Sequence, residues 1–307
     1  MLIDVIIPTY KPDEKFKKLV SMLEKQTIPV NKIIVINTEE KYMEALCIGT
    51  HFLAEHKKLS IHHISRKEFD HGKSRNLGAK RSEADILIFM TQDAVPADEY
   101  LVEKLIEPLQ DEKIACSYAR QLPDVDSTMT EQLTREFNYP DKDGVKSKAD
   151  LQELGIKTYF CSNVCCAYNG KIFRELKGFI NHTIFNEDMI YAAKAIENGY
   201  KIAYAADAKV IHSHNYTGRQ QFHRNFDLGV SQADHPEIFE AVSSESEGIK
   251  MVKQTMAKLK DTGYGKEIPN YIVTSGCKFI GYRMGKAYKK LPMWLVKKCT
   301  MSPMYWK

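Results

Sequence analysis

The first half of the chain alternates short apolar runs with apolar positions spaced for helices. Residues 4–7 form a short apolar run closed by Pro8 and read as a strand. Phe16, Leu19, Val20 and Leu23 fall at i, i+3, i+4 and i+7, one stripe of a helix that starts after Pro12 and Asp13. Residues 33–36 and 61–64 read as two more strands, 76–81 as a helix, and 85–90 as a strong fourth strand. Leu101, Leu105, Ile106 and Leu109 mark another helix, and 115–119 another strand. Strands and helices in alternation predict an α/β fold: a mostly parallel sheet with helices on both faces.

The pattern then weakens. Residues 122–157 are polar, with little periodicity, and read as a functional loop or lid. A cysteine-rich strand over 160–168, a helix over 186–198 and strands over 201–204 and 209–212 follow, and from 219 onward the pattern is helical.

Composition adds bounds. With 43% hydrophobic and 27% charged residues in 307, the chain is globular rather than disordered or fibrous. The first apolar run is too short for a signal peptide, and no uncharged window is long enough to span a membrane, so a cytoplasmic protein is expected. Cys47, Cys116, Cys161, Cys165, Cys166, Cys277 and Cys299 lack framework spacing and read as reduced thiols. Cys161, Cys165 and Cys166 also lack zinc-site spacing, which favours packing. Charge is uneven: residues 277–307 carry eight Lys/Arg and no Asp/Glu, leaving 36 basic against 40 acidic residues before them. That tail interleaves its cations with Phe279, Tyr282, Tyr288, Trp294, Tyr305 and Trp306, a mixture suited to an anionic bilayer surface, to nucleic acid, or to a packed helical end.

Ligands of open parallel sheets bind beyond the carboxyl ends of the strands. Asp93 follows the fourth strand there, where packing explains a carboxylate poorly, although a turn or cap would use one. Upstream, residues 68–76 are dense in polar groups. Gly72 would let backbone approach a ligand, while Lys73 and Arg75 suit phosphate oxygens or simply a charged helix start. Asn186 could cap the next helix, with Glu187 and Asp188 favoured by its dipole; alternatively a carboxylate there serves as general base. His212 and His214, at i and i+2 after a strand, could join Asp93 in a mixed oxygen–nitrogen site for Mn²⁺ or Mg²⁺. No GxGxxG follows the first strand, which argues against a dinucleotide-dependent dehydrogenase.

These segments resemble the inverting family 2 glycosyltransferases of the GT-A fold. The matching pieces are Val5-Ile6-Ile7-Pro8-Thr9-Tyr10, Phe69 through Asn76, Thr91-Gln92-Asp93-Ala94, Asn186-Glu187-Asp188-Met189 and His212-Ser213-His214-Asn215-Tyr216, in the family's order over roughly residues 3–230. The histidine–glycine segment with Thr-Gln-Asp-Ala is similar to the bacterial rhamnosyltransferase branch. The resemblance implies a GT-A domain over 1–218, with a nucleotide-sugar half (1–120) and an acceptor half (121–218), and a helical region over 219–307. It implies that Pro8, Thr9, Tyr10, Asn37 and Glu39 hold the nucleoside. His71, Gly72, Arg75, Asn76 and Gln92 then lie toward the donor phosphates, and Asp93 corresponds to the last aspartate of the family's Asp-x-Asp motif, holding the cation. Asp188 aligns with the catalytic base, with Glu187 orienting the acceptor. Two positions depart from the pattern: Thr91 replaces the motif's first aspartate, shifting weight to His212 or His214, and Asn37 replaces an acidic residue, with Glu39 nearby.

The implied activity is transfer of L-rhamnose from dTDP-L-rhamnose to a lipid-linked saccharide in cell-wall or surface polysaccharide synthesis. The enzyme would act as a monomer or homo-oligomer held by its tail on the inner face of the membrane, with no nucleic-acid partner. A UDP-hexose donor on the same fold is the nearest alternative. A non-catalytic module that binds nucleotide sugar or nucleic acid is the reading from another class, and it predicts that Asp188→Asn changes nothing.

Overall fold

The computed structural model describes residues 1–240 and 245–306, so Lys307 of the basic tail lies outside the described residues. Among the described residues nine strands form one sheet: β1 Ile3–Tyr10, β2 Lys32–Thr38, β3 Leu59–Ile64, β4 Ile86–Met90, β5 Val95–Pro96, β6 Ile114–Leu122, β7 Gly144–Lys146, β8 Cys165–Asn169 and β9 Lys201–Ile211. Their order is β3-β2-β1-β4-β8-β6-β9-β5, with β7 beside β9. The β1, β2, β3 and β4 pairings are parallel, as is β6 with β9, while β8 runs antiparallel between β4 and β6. The carboxyl ends of β1, β2 and β4 therefore share one edge, where the candidate residues lie.

Side chains alternate across β1 with the two-residue period of a strand. Val5 and Ile7 join one core layer with Phe16, Leu19, Val20 and Leu23 of the helix Glu14–Leu23, while Ile6 packs on the other face with Leu87 and Phe89. Asp13 caps that helix by accepting from the Lys15 N–H, as the sequence signal predicts.

The polar stretch 122–157 is not a structureless lid. It contains the helix Met129–Asn138, β7 and a short helix at Leu151–Leu154. Only Met129 and Leu133 pack inward from the first of these, too thin a stripe to register as a period. The cysteine-rich strand is confined to Cys165–Asn169. The two strands expected at 201–204 and 209–212 are one, β9, interrupted by a bulge that advances its pairing with β6 from Ala205 to Lys209. The helix expected from 76 to 81 begins at His71 and ends at Ala79.

After Ile211 the described residues form helices. Gly218–Asp234 and Ile268–Lys286 are the longest partners there, and they approach closely because a Cβ on Gly229, Gly281 or Gly285 would collide with the facing backbone. Among the described residues no helix is long and apolar enough to cross a membrane. All seven cysteines are free, and five are buried. Cys161 lies 3.7 Å from Cys116 and 3.4 Å from Cys166, a thiol cluster hidden in the sequence because Cys116 arrives from another strand.

Candidate active site

Asp93 leaves the end of β4 between the two histidines that follow β9. Its carboxylate oxygens lie 3.6 Å from His212 Nε2 and 3.3 Å from His214 Nε2. Burial works to raise the Asp93 carboxyl, but attraction to the two imidazoles in their protonated forms, with the Thr91 hydroxyl, outweighs it, and the group titrates below the ordinary range. Burial drives His212 down to about 3 despite Asp93, so its ring is neutral. The Gln121 side-chain oxygen lies 3.0 Å from His212 Nδ1, which places the proton there and turns the Nε2 lone pair toward Asp93. A lone pair facing a carboxylate is unfavourable unless a cation lies between them. Ligand atoms each roughly 2.1 Å from one ion sit roughly 3–3.5 Å apart, close to the spacing here. The residues fit a divalent metal, with Gln121 orienting the histidine ligand.

The Glu187–Asp188 pair opens the helix Glu187–Glu197. Asn186 does not cap it: the residue takes a left-handed φ of 62°, and its amide donates to Ser231 Oγ. Burial raises the Asp188 carboxyl to about 8, helped by the adjacent Glu187 charge, against hydrogen bonds from the Asn163 and Met189 N–H groups. Glu187 is 5% exposed and pairs with Arg75 at 3.1 Å, accepting also from Asn163 Nδ2. Burial pushes its carboxyl up, but Arg75 and His71 prevail and keep it ionised. It is therefore a buried charge beside Asp188, committed to Arg75 and Asn163, and its negative charge helps to raise the Asp188 carboxyl.

Asn163 was not visible as a site residue. It holds both carboxylates and is itself fixed by Tyr168, whose hydroxyl donates to its side-chain oxygen at 2.8 Å. The polar pair Ser162-Asn163 inside an apolar, cysteine-rich run was the available signal. Gln121 links the two halves: its oxygen faces His212 and accepts from Arg135, while its amide nitrogen donates to Ser162 Oγ and Tyr139 Oη. A hydrogen-bonded path thus joins the Asp93–His212–His214 group to the turn that holds Asp188. Arg224 lies near both, its guanidinium 4.8 Å over Phe185 and 5.7 Å over Tyr216, with no ion pair among the described residues.

The expected donor residues divide. Tyr10 and His71 line a cavity of about 200 Å³, together with Arg66 and Phe69. Gln92 and Tyr10 exchange two hydrogen bonds, side chain to backbone, clamping β4 to β1. Glu39 accepts from the Arg66 N–H and so positions a cavity wall. Pro8 and Thr9 remain within β1, with Thr9 donating to Asn37. Asn37, Gly72, Arg75 and Asn76 do not line this cavity. Asn37 is fully buried between Thr9, Glu39 and His63. Gly72 leaves room for the Ile180 carbonyl rather than a ligand. Arg75 is committed to Glu187 and the His71 carbonyl, and Asn76 bonds Phe179 and Asn181.

The other wall is the end of the chain: Met301 through Tyr305 line the same cavity. Asp227 holds this segment, accepting from Thr300 Oγ1 at 2.6 Å and from the Met301 N–H at 2.9 Å. Tyr305 stacks on His182 with ring centres 4.5 Å apart. The last aromatics of the tail thus fold back onto the domain.

Residues 4–177 match the family described as Glycosyl transferase family 2. The O-antigen chain rhamnosyltransferase RfbN of Salmonella typhimurium is 41% identical over 309 residues, covering 100% of this chain and 96% of its own. The O-antigen chain rhamnosyltransferase WbaN of Salmonella anatum is 37% identical, covering 98% and 95%. Two solved structures are alike in fold at low identity. The mannosyltransferase PcManGT from Pyrobaculum calidifontis, in complex with GDP-Man and Mn²⁺, aligns with TM-score 0.58 at 12% identity, over 99% of this chain and 84% of its own. S. aureus TarS 1–349 aligns with TM-score 0.54 at 14% identity, over 94% and 92%.

Proposed function

The chain belongs to glycosyl transferase family 2, and from that membership we propose that it transfers L-rhamnose from dTDP-L-rhamnose to a hydroxyl of a lipid-linked saccharide. The full-length similarity to O-antigen chain rhamnosyltransferases supports the sugar and a role in surface polysaccharide synthesis. The observation that carries the mechanism is the hydrogen-bonded path from the Asp93–His212–His214 group through Gln121 and Ser162 to the turn holding Asp188.

In this reading residues 1–120 serve the donor and 121–218 the acceptor. The nucleoside lies in the cavity between Tyr10, Arg66 and the 301–305 segment. Asp93, His212 and His214 hold a Mn²⁺ or Mg²⁺ ion, which when bound supplies Lewis-acid stabilisation of the departing diphosphate. Arg224, without an ion pair among the described residues, adds positive charge on the same side. Asp188 takes the proton from the acceptor hydroxyl, whose oxygen forms the new bond to the anomeric carbon as the carbon–oxygen bond to the diphosphate breaks. A single displacement inverts the anomeric configuration. A carboxyl raised to about 8 is a stronger base than an ordinary aspartate, which suits it to this task.

The membrane placement has its own support. Ile272, Val273, Phe279 and Ile280 are exposed at i, i+1, i+7 and i+8 of one helix, with exposed Met293 and Trp294 and five nearby lysines. Such a stripe, rimmed by cations, suits the cytoplasmic face of an anionic bilayer.

A panel of nucleotide sugars with Mn²⁺ or Mg²⁺ tests the reading through nucleotide release. Turnover is expected with dTDP-L-rhamnose, to stop with chelator or Asp93→Ala, and to stop in Asp188→Asn while donor binding persists. Preference for a UDP-hexose, or unchanged turnover in Asp188→Asn, defeats it.

A further inference from the structure

Beside the metal-ligand group lies a second cavity, of about 340 Å³, which none of the steps above uses. Its walls are the helix Met129–Asn138, the loop after β9 with His214 and Tyr216, and the helix Ile268–Lys286. The lining is rich in hydroxyls and amides, including Thr134, Thr274 and Asn270, which suits a sugar better than an apolar ligand.

One charge in it is unanswered. Lys278 lines the cavity, yet its ammonium makes no hydrogen bond or ion pair among the described residues. Burial lowers its pKa. Glu131 shares the cavity, but Arg135 Nε already holds that carboxylate at 2.7 Å. A cation withdrawn from water without a counter-ion costs free energy, and a ligand anion would relieve the cost. Tyr271, on the same wall and 3% exposed, has a buried hydroxyl that is also without a hydrogen-bond partner among the described residues.

Position narrows the ligand further. Lys278 and Thr274 face the cavity one helical turn apart, while Phe279 and Ile280, the next two residues, belong to the exposed apolar stripe. An anion at Lys278 thus lies next to the surface that would meet a membrane. At the other side, the helix Met129–Asn138 runs from Glu131 in the cavity to Tyr139 after its end, about 12 Å along the axis. Tyr139 bonds Gln121 and lies within electrostatic reach of Asp188.

We propose that this cavity binds the phosphate-bearing end of the acceptor. Lys278 meets the phosphate, Thr274 and Asn270 meet the adjoining sugar, and the lipid leaves along the apolar stripe of the same helix. The assignment rests on the glycosyl-transfer reading and supplies it with an acceptor site.

Titration of the full chain, with TDP and Mn²⁺ present, separates the outcomes. The probes are a hexose 1-diphosphate carrying a short alkyl chain and the matching neutral alkyl hexoside. Lys278→Met is expected to weaken the diphosphate roughly tenfold or more while leaving the neutral hexoside within about twofold. The donor KM should hold, and Tm should hold or rise, because an unpaired cation has been removed. Thr274→Val should weaken both probes. Equal affinity of wild type and Lys278→Met for the diphosphate overturns the proposal, as does a wild-type chain that prefers the neutral hexoside. The glycosyl-transfer reading fails separately, if the wild type binds the diphosphate probe but releases nucleotide from no donor.

Discussion

At the scale of single residues, the proposed base Asp188 is set by a balance in which burial and the Glu187 charge oppose its ionisation more than the Asn163 and Met189 N–H groups favour it. A base works only when deprotonated, so acceptor-dependent kcat/KM should rise with pH by about tenfold per unit below about 8 and level off above it. A rate profile flat from pH 6 to 9 would remove Asp188 from that role. The same shift has a stability consequence of opposite sense. The folded carboxyl holds its proton to about 8, whereas an unfolded aspartate releases it near 3.8. The stabilising contribution is therefore complete below about 4 and lost as pH climbs toward 8. Asp188→Asn has no such loss, so its Tm advantage over wild type should grow between pH 4 and 8, measured by thermal melts. Beneath it, Arg75→Met would leave Glu187 buried and unpaired, at a cost of about 3–5 kcal/mol. Adding Glu187→Gln should recover part of that in a urea double-mutant cycle.

At the scale of elements, the residues that punctuate strand ends were legible, while those that arrive from elsewhere were not. Asp93, His212 and His214 each follow an apolar strand and Asp188 lies in the first turn of a helix, and the structure places the first three together. Asn37, Arg75 and Asn76 carry the same kind of side chain at similar positions, but their partners come from β3, from the helix Glu187–Glu197 and from the 179–181 turn. No spacing along the chain announces such pairings. Asn163, Gln121 and the 301–305 segment escaped for the same reason. Periodicity found the elements whose apolar stripe is wide and lost Met129–Asn138, whose stripe is two residues. The pairing of Gly218–Asp234 with Ile268–Lys286 was equally hidden, because glycines leave no hydrophobic signal. It makes a direct prediction: Gly281→Ala places a methyl group against the Phe222 carbonyl and should cost about 1–3 kcal/mol in chemical denaturation. A substitution tolerated without loss would mean the helices are not held this close.

At the scale of the whole molecule, the two roles proposed for the C-terminal region fall on different residues, and deletion can separate them. The basic, aromatic composition of 277–307 suggests one membrane-binding tail whose removal spares the donor site. The fold argues otherwise for its last residues: Met301 through Tyr305 wall the cavity that Tyr10 and His71 line, with Asp227 fastening the segment from the helix Gly218–Asp234. Removing residues 301–307 opens that wall to water and takes away the apolar contacts of Met301, Pro303 and Tyr305. Affinity for TDP should therefore fall by roughly tenfold or more, measured by calorimetry. Asp227→Ala should weaken TDP in the same direction, since it frees Thr300 and Met301 without shortening the chain. Vesicle binding should follow a different set. Phe279→Ser with Trp294→Ser removes exposed aromatics that touch neither cavity, so anionic vesicles should release the protein while TDP affinity holds. If the truncated chain binds TDP as tightly as the full one, the fold-back segment is packing alone. If the double serine variant stays on vesicles, the exposed stripe is not the surface that meets lipid.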